Sequence, residues 1–313
     1  MMDGRLQVFT GNAHPQLAQG IMGELEAPLG RALVGQWRNG ETRVKLEENV
    51  RGSDVFIIQS MREPANHHLM EMLMMIDAAR RASAARITAV IPYYAYAKQE
   101  KKTAGREPIS AKLVANLIVT AGANRVLTLD LHAPAIEGFF DIPVDHLRAS
   151  PLLAERIKRT GEADLVAVSP DAGGVARADN FRTRLRAPLA IISKRHPEPD
   201  ATEVLEMVGD VEGKLAVIVD DMISTGGTLA LAANMLRERG ARKVVAAATH
   251  GVFAENAFEL LAASAIERVF VTDSLLLPHG QECLAVEVVS IAPMLAEAIM
   301  RIHKDLSISA LFS

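Results

Sequence analysis

The chain reads as α/β, built from mostly parallel sheets flanked by helices and divided into two domains. Three observations carry this reading. Short apolar runs alternate repeatedly with helical patterns along the 313 residues. The runs are continuous rather than alternating, as expected for strands covered on both faces. There are nine of them, enough for two sheets and hence two domains.

The expected strands are Leu6–Phe9, Val55–Gln59, Ile87–Ile91, Arg125–Leu129, Leu165–Ser169, Leu189–Ile192, Leu215–Val219, Val244–Ala247 and Arg268–Val271. Helical patterns fall between them at Pro64–Ser83, Ser110–Ala121, Leu152–Arg159, Thr228–Arg239 and Ala254–Ala263. Pro151 suits the first turn of the helix that opens the second half, and the boundary is placed there, giving domains 1–148 and 149–313. A short echo between RVLTLD (Arg125–Asp130) and RVFVTD (Arg268–Asp273) fits a repeated unit. The last helix, Pro293–Lys304, is expected to pack back on the first domain.

Composition narrows the function classes. Apolar residues make up 49% of the chain, enough for full cores. A net charge of −4 supplies no global field for nucleic acid. No apolar run is long enough to span a membrane. The first twelve residues lack the basic-then-apolar shape of a secretory signal, so a cytoplasmic location is expected. Cys283 is the single cysteine, which excludes an intrachain disulfide and a cysteine zinc cluster. The methionines Met70, Met72, Met74 and Met75 read as core-packing or subunit-interface residues of a helix. His67 and His68 near its start read as surface or satisfied side chains, because no second ligand pair has matching spacing.

The most specific motif is VIVDDMISTGGT, Val217 to Thr228. An apolar strand runs into Asp220 and Asp221, then a hydroxyl- and glycine-rich turn, then a helix. Gly226 and Gly227 let backbone approach an anion, and the first helical N–H groups with Ser224, Thr225 and Thr228 can wrap a phosphate. The two acids would repel that phosphate and suit sugar hydroxyls or a cation instead. One loop thus offers a phosphate cradle beside a diol site, which describes a phosphoribosyl group.

Four further segments place polar residues after apolar runs, where open α/β sheets bind ligands. In Gly35–Gly52, Trp37 stands beside a turn with Asn39, Gly40 and Glu41 and offers a flat face for a base; a partly buried hairpin aromatic is the alternative. In Ile91–Lys112, the cations Lys98, Lys101, Lys102, Arg106 and Lys112 fit a polyphosphate or a solvated loop. All three tyrosines, Tyr93, Tyr94 and Tyr96, crowd the start of this segment. In Leu127–Pro143, Asp130 and His132 point to opposite sides unless the strand breaks. His132 suits a cation, a phosphate or a cap. In Val166–Ala178, Asp171 ends a strand and precedes Gly173 and Gly174.

The loop at Val217–Thr228 resembles the phosphoribosyl-diphosphate (PRPP) loop shared by phosphoribosyltransferases and PRPP synthetases, and alone does not choose between them. The remaining segments do. YYAYAKQEKK with GREPISAKLVANLI, LDLHAPAIEGFFDIPVDHL, SPDAGGVARA, VDDMISTGGT and the terminal SISALF resemble the ribose-phosphate diphosphokinase family over nearly the whole chain.

The resemblance implies two phosphoribosyltransferase-like domains and the conversion of ATP and ribose 5-phosphate into PRPP and AMP. It implies that Trp37, Asn39, Glu41, Lys98, Gln99 and Lys101 bind ATP. Asp220, Asp221, Ser224, Thr225, Gly226, Gly227 and Thr228 would hold ribose 5-phosphate. His132 and Asp171 would hold Mg²⁺, and Lys194, Arg195 and His196, in a loop over Ser193–Val204, would stabilise the transferring group. Phosphate and ADP as effectors and a dimer-based hexamer are also implied. Departures from the family pattern are His196 and Glu198 for arginines, Ser224 for an acid, Ala172 for a histidine and Lys98 for an arginine. A regulatory, non-catalytic paralogue and a phosphoribosyltransferase are the alternative readings.

Overall fold

The structure, a computed structural model, describes residues 4–195 and 204–311. It divides into two compact units. One comprises Met1–Arg148, Ser274–Leu276 and Ile291–Ser313; the other comprises Ala149–Asp273 and Leu277–Ser290. The α/β class with mostly parallel sheets is as the sequence predicts.

The first unit holds a sheet of β1 (Leu6–Thr10), β4 (Asp54–Ile58), β5 (Arg86–Ile91), β6 (Arg125–Leu129) and β7 (Val144–Leu147), in that order and parallel throughout. Every residue of β4 is buried, which is why its sequence, DVFII, shows no alternation. Helices α1 (Pro15–Glu24), α2 (Ala65–Arg81) and α3 (Ser110–Ala121) connect the strands. Met72 and Met75 pack with Phe9, Ile57, Ile76 and Ile118 in the core, whereas Met70 is exposed.

β2 (Ala32–Gln36) and β3 (Thr42–Leu46) form a separate antiparallel hairpin. The sequence reading omits this pair of strands, along with β7 and α1. β2, β3 and β7 contain few fully buried residues, so none makes a continuous apolar run. α1 carries Gly20 and Gly23, which weaken its helical signal.

The second unit holds seven strands in the order β10 (Val204–Val208), β9 (Leu189–Arg195), β8 (Leu165–Ser169), β11 (Leu215–Ile223), β12 (Lys243–Gly251), β13 (Ile266–Thr272) and β14 (Val286–Val289). Only the β9–β10 pairing is antiparallel. Helices α4 (Ser150–Lys158), α5 (Val175–Leu185), α6 (Gly227–Glu238) and α7 (Ala257–Ala262) flank it. Val168, Ile192, Ile218, Ala233, Leu236 and Val269 lie in its core. The last helix, α8 (Ala292–His303), belongs to the first unit.

One boundary differs in a way that bears on the site. β9 continues past Ile192 to Arg195, into the segment expected as loop; residues 196–203 lie outside the described residues. β10 supplies the partner for this extension, with Glu206 opposite Ser193, Leu205 opposite Lys194 and Val204 opposite Arg195.

Candidate active site

The second unit assembles its candidate residues at the carboxyl ends of two neighbouring parallel strands, β8 and β11. β11 delivers Asp220, partly buried, and Asp221, buried, toward its carboxyl end. A three-residue turn, Ser224–Gly226, then opens α6. Gly226 is left-handed at φ +79°, and a Cβ there would stand 3.0 Å from Leu261, so conformation and space both require glycine. Around Gly227 the space is open. No side chain caps α6, so its leading N–H groups remain available to an anion. The turn is anchored from the far side, since Phe253 N–H donates to Ile223 O at 3.0 Å and Ala254 N–H to Ser224 O at 3.1 Å.

Arg177, on α5, reaches both acids. Its Nη1 lies 2.8 Å from Asp220 Oδ1 and its Nη2 3.0 Å from Asp221 Oδ1. The planar fork spans two carboxylates that the strand alone would turn to opposite faces. Burial, and then the hydrogen bond and charge of Asp221, push Asp220 up to about 7, against the opposing pull of Arg177. The sequence reading misses Arg177. It lies 43 residues before Asp220, and only the β8–β11 adjacency brings it near.

Asp171 follows β8. Its Oδ1 accepts the Gly174 N–H at 2.8 Å, and Ser169 Oγ donates to its carbonyl at 2.7 Å. These bonds fix the loop and leave Oδ2 with no protein hydrogen bond among the described residues. A half-exposed carboxylate with one spare oxygen fits a Mg²⁺ that keeps most of its coordination for water and phosphate. Lys194 and Arg195 are the last residues of β9, beside β8. His196 lies outside the described residues.

In the first unit, His132 follows β6. The strand breaks at Asp130, whose φ is +36°, so the strict alternation expected of Asp130 and His132 does not apply. His146, buried on β7, organises this corner. Leu131 N–H donates to His146 Nε2 at 2.7 Å, while His146 Nδ1 pairs with Glu137. That arrangement puts the proton on Nδ1. Burial, with the charge of Arg148, lowers the His146 pKa and keeps Nε2 an acceptor. His146 is thus a second residue missed by sequence, holding the backbone beside His132.

Trp37, Asn39 and Glu41 occupy the turn between β2 and β3. Trp37 N–H donates to Glu41 O at 2.8 Å, and Asn39 Oδ1 accepts the Glu41 N–H at 3.2 Å. Trp37 is 51% exposed, with the Arg43 guanidinium 4.3 Å from its ring centroid. One ring face is taken by that cation and the other is open to a flat ligand. Lys98, Gln99 and Lys101 sit on the loop after β5. Gln99 is fixed by its N–H to Tyr96 O at 2.9 Å and by Ser110 Oγ, while Lys101 pairs with Glu100 at 3.2 Å. Tyr94 is buried beneath this loop, donating to Ala111 O at 2.8 Å. Among the described residues no hydrogen bond or ion pair joins the turn at 37–41 to Lys98, Gln99 or Lys101. Both segments are tied instead to the start of α2, through Gln36 to His67 and Tyr96 to Asn66.

Parallel sheets with a PRPP-type loop between a strand and an uncapped helix define a protein of the phosphoribosyltransferase-like class. Comparison with known proteins narrows this further. Residues 6–122 match the N-terminal domain of ribose phosphate pyrophosphokinase, and residues 195–313 match the phosphoribosyl synthetase-associated domain. A ribose-phosphate pyrophosphokinase from Clostridium perfringens is 50% identical over 98% of this chain and 97% of its own length. One from a Nostoc species is 52% identical over 98% and 94%. The crystal structure of phosphoribosylpyrophosphate synthetase from Mycobacterium smegmatis superposes with a TM-score of 0.91 at 46% identity, covering 96% of this chain and 99% of that one. The chain belongs to the ribose-phosphate pyrophosphokinase family and is an enzyme of the transferase type.

Proposed function

We propose that the protein transfers the β,γ-diphosphoryl group of ATP to the C1 hydroxyl of ribose 5-phosphate, giving PRPP and AMP. The observation that carries this reading is in the second unit, where an anion cradle at the Ser224–Gly226 turn adjoins two acids on the strand before it. The 5-phosphate sits on the N–H groups that open α6, with Ser224, Thr225 and Thr228 adding hydroxyls. Asp220 and Asp221 accept the 2- and 3-hydroxyls of the ribose, each charge-assisted bond contributing about 1.5–3 kcal/mol. Arg177 holds both acids ready and shares their charge until the sugar arrives.

The first unit supplies ATP recognition. The open face of Trp37 stacks on adenine, Asn39 and Glu41 read its edge, and Lys98, Gln99 and Lys101 meet the polyphosphate. Asp171 and His132 would hold Mg²⁺, which, when bound, neutralises charge on the triphosphate. In-line transfer then depends on positioning and on countering charge at the moving group. Lys194, Arg195 and His196 take that second task. The reading includes a homo-oligomer, of dimers in a hexamer, that responds to phosphate and ADP. Family membership supports this part.

The loop assignment is tested by splitting binding from turnover. Lys194→Ala should lower kcat by at least about 100-fold while leaving ribose 5-phosphate affinity nearly unchanged. Asp220→Asn should instead weaken sugar binding by roughly tenfold or more, as loss of about 1.4 kcal/mol would. A Lys194→Ala enzyme of normal rate removes that residue from the mechanism. Normal sugar affinity in Asp220→Asn removes the diol assignment.

A further inference from the structure

Helix α2 carries a cluster that the transfer reaction does not use. His67 Nε2 lies 3.1 Å from Glu71 Oε1, and His68 Nδ1 lies 3.3 Å from Glu71 Oε2. One ligand atom from each of the three lies within 4.8 Å of the others. Helical spacing produces this, since i, i+1 and i+4 positions place both imidazoles over the carboxylate one turn on. We infer that His67, His68 and Glu71 form a binding site for one divalent transition-metal ion such as Zn²⁺.

Four features support the assignment. First, each imidazole faces one oxygen of the same carboxylate, at 3.1 and 3.3 Å, so small side-chain adjustments bring all three residues to about 2.1 Å from a shared ion. Second, the carboxylate is a fixed anion in a buried place: Glu71 is fully buried. Asn12 Nδ2 donates to Oε1 at 2.6 Å, while Asn12 N at 3.1 Å and Gln59 Nε2 at 2.6 Å donate to Oε2. Oε1 keeps a lone pair toward His67. Third, the other ring nitrogen of His67 meets the Gln36 side-chain amide at 3.1 Å. The atom facing Nδ1 is the amide Nε2; on metal binding a half-turn of the amide would set its oxygen there, where it would accept the Nδ1 proton and orient the ring for ligation through Nε2, as supporting residues of metal-bound histidines do. Fourth, His67 is partly exposed and provides the entry path, leaving room for water to complete the coordination.

Two imidazoles and one carboxylate favour Zn²⁺, Co²⁺ or Ni²⁺ over Mg²⁺, which prefers oxygen ligands and retains its water. The site is therefore chemically distinct from the Mg²⁺ role proposed for Asp171. An ion here would also tie the first turn of α2 to β2 through Gln36. The sequence reading sets His67 and His68 aside for want of a second ligand pair; the third ligand is a single residue one helical turn away.

The test uses full-length protein stripped with chelator and titrated with Zn²⁺ alone, with bound metal quantified after gel filtration. Wild type should retain one Zn²⁺ per chain that His132→Ala also retains. His67→Asn and His68→Asn should each weaken that binding by at least about 100-fold, and Gln36→Ala by about 10-fold. Circular dichroism of each metal-free variant verifies the fold. Failure of wild type to bind Zn²⁺, or unchanged binding in His67→Asn, would overturn the site. Loss of binding in His132→Ala alone would place the ion elsewhere and equally overturn it. None of these results depends on transfer activity.

Discussion

Asp220 is an acid held against its own solvation. Its proton is retained to about pH 7 because burial and Asp221 disfavour a second negative charge, and Arg177 only partly offsets them. The consequence for stability has a definite sign. Between the unfolded carboxylate value of 3.8 and about 7, the folded state binds more protons than the unfolded one. Stability from this group is therefore present at low pH and is lost as pH rises toward 7. Without ligands, Asp220→Asn should melt at least about 2 °C above wild type at pH 8, with a smaller gap at pH 5. Equal melting at both pH values would contradict the assignment. The same substitution should cost sugar affinity, the expected trade between stability and a strained site.

At this scale the sequence reveals side chains that sit beside one another in the chain. Asp220, Asp221 and the 224–228 turn are legible because local spacing alone makes the cradle. Arg177 and His146 are not, since each acts on a segment reached only through strand order. His67 and His68 are visible as histidines, but their meaning depends on Glu71 being buried.

Among elements, the β2–β3 hairpin is the piece whose role rests most on its shape. It stands apart from both large sheets and presents Trp37, Asn39 and Glu41 on one turn. Trp37 is the single tryptophan of the chain, so its fluorescence reports on this turn alone. If adenine stacks on the open ring face, ATP should quench that emission saturably. Trp37→Ala should raise the KM for ATP by about tenfold, with kcat changed less. Emission insensitive to saturating ATP would contradict adenine stacking.

The buried strands were legible as continuous apolar runs, and all nine are present with ends shifted by a few residues. β7, β10 and β14 were not, because edge strands such as VDHL and VEVV mix polar residues into short runs. Antiparallel pairing with β10 is also what extends β9 through Lys194 and Arg195.

At the scale of the whole molecule, each unit has its own core, and the C-terminal segment is fastened into the first unit by charge as well as packing. Asp54, fully buried on β4, pairs with Arg86 at 2.8 and 2.6 Å and with His303 Nδ1 at 2.9 Å. Arg86 also donates to Ile302 O at 2.7 Å and pairs with Asp305 at 3.0 Å. Asp54 raises the Arg86 pKa. Removing one partner strands a buried charge, and Arg86→Met should destabilise the protein by about 3–5 kcal/mol in chemical denaturation. A loss under about 1 kcal/mol would show that α8 is held by its apolar face alone.

No helix among the described residues is long and apolar enough to cross a membrane, in keeping with the composition. The central claim is that this molecule moves a diphosphoryl group rather than a single phosphoryl. Purified protein incubated with Mg²⁺, ATP, ribose 5-phosphate and inorganic phosphate, with AMP, ADP and PRPP quantified together, tests it most directly. The account predicts AMP and PRPP in equal amounts, with no AMP when ribose 5-phosphate is omitted. ADP without PRPP, or binding of both substrates with no turnover, would contradict it.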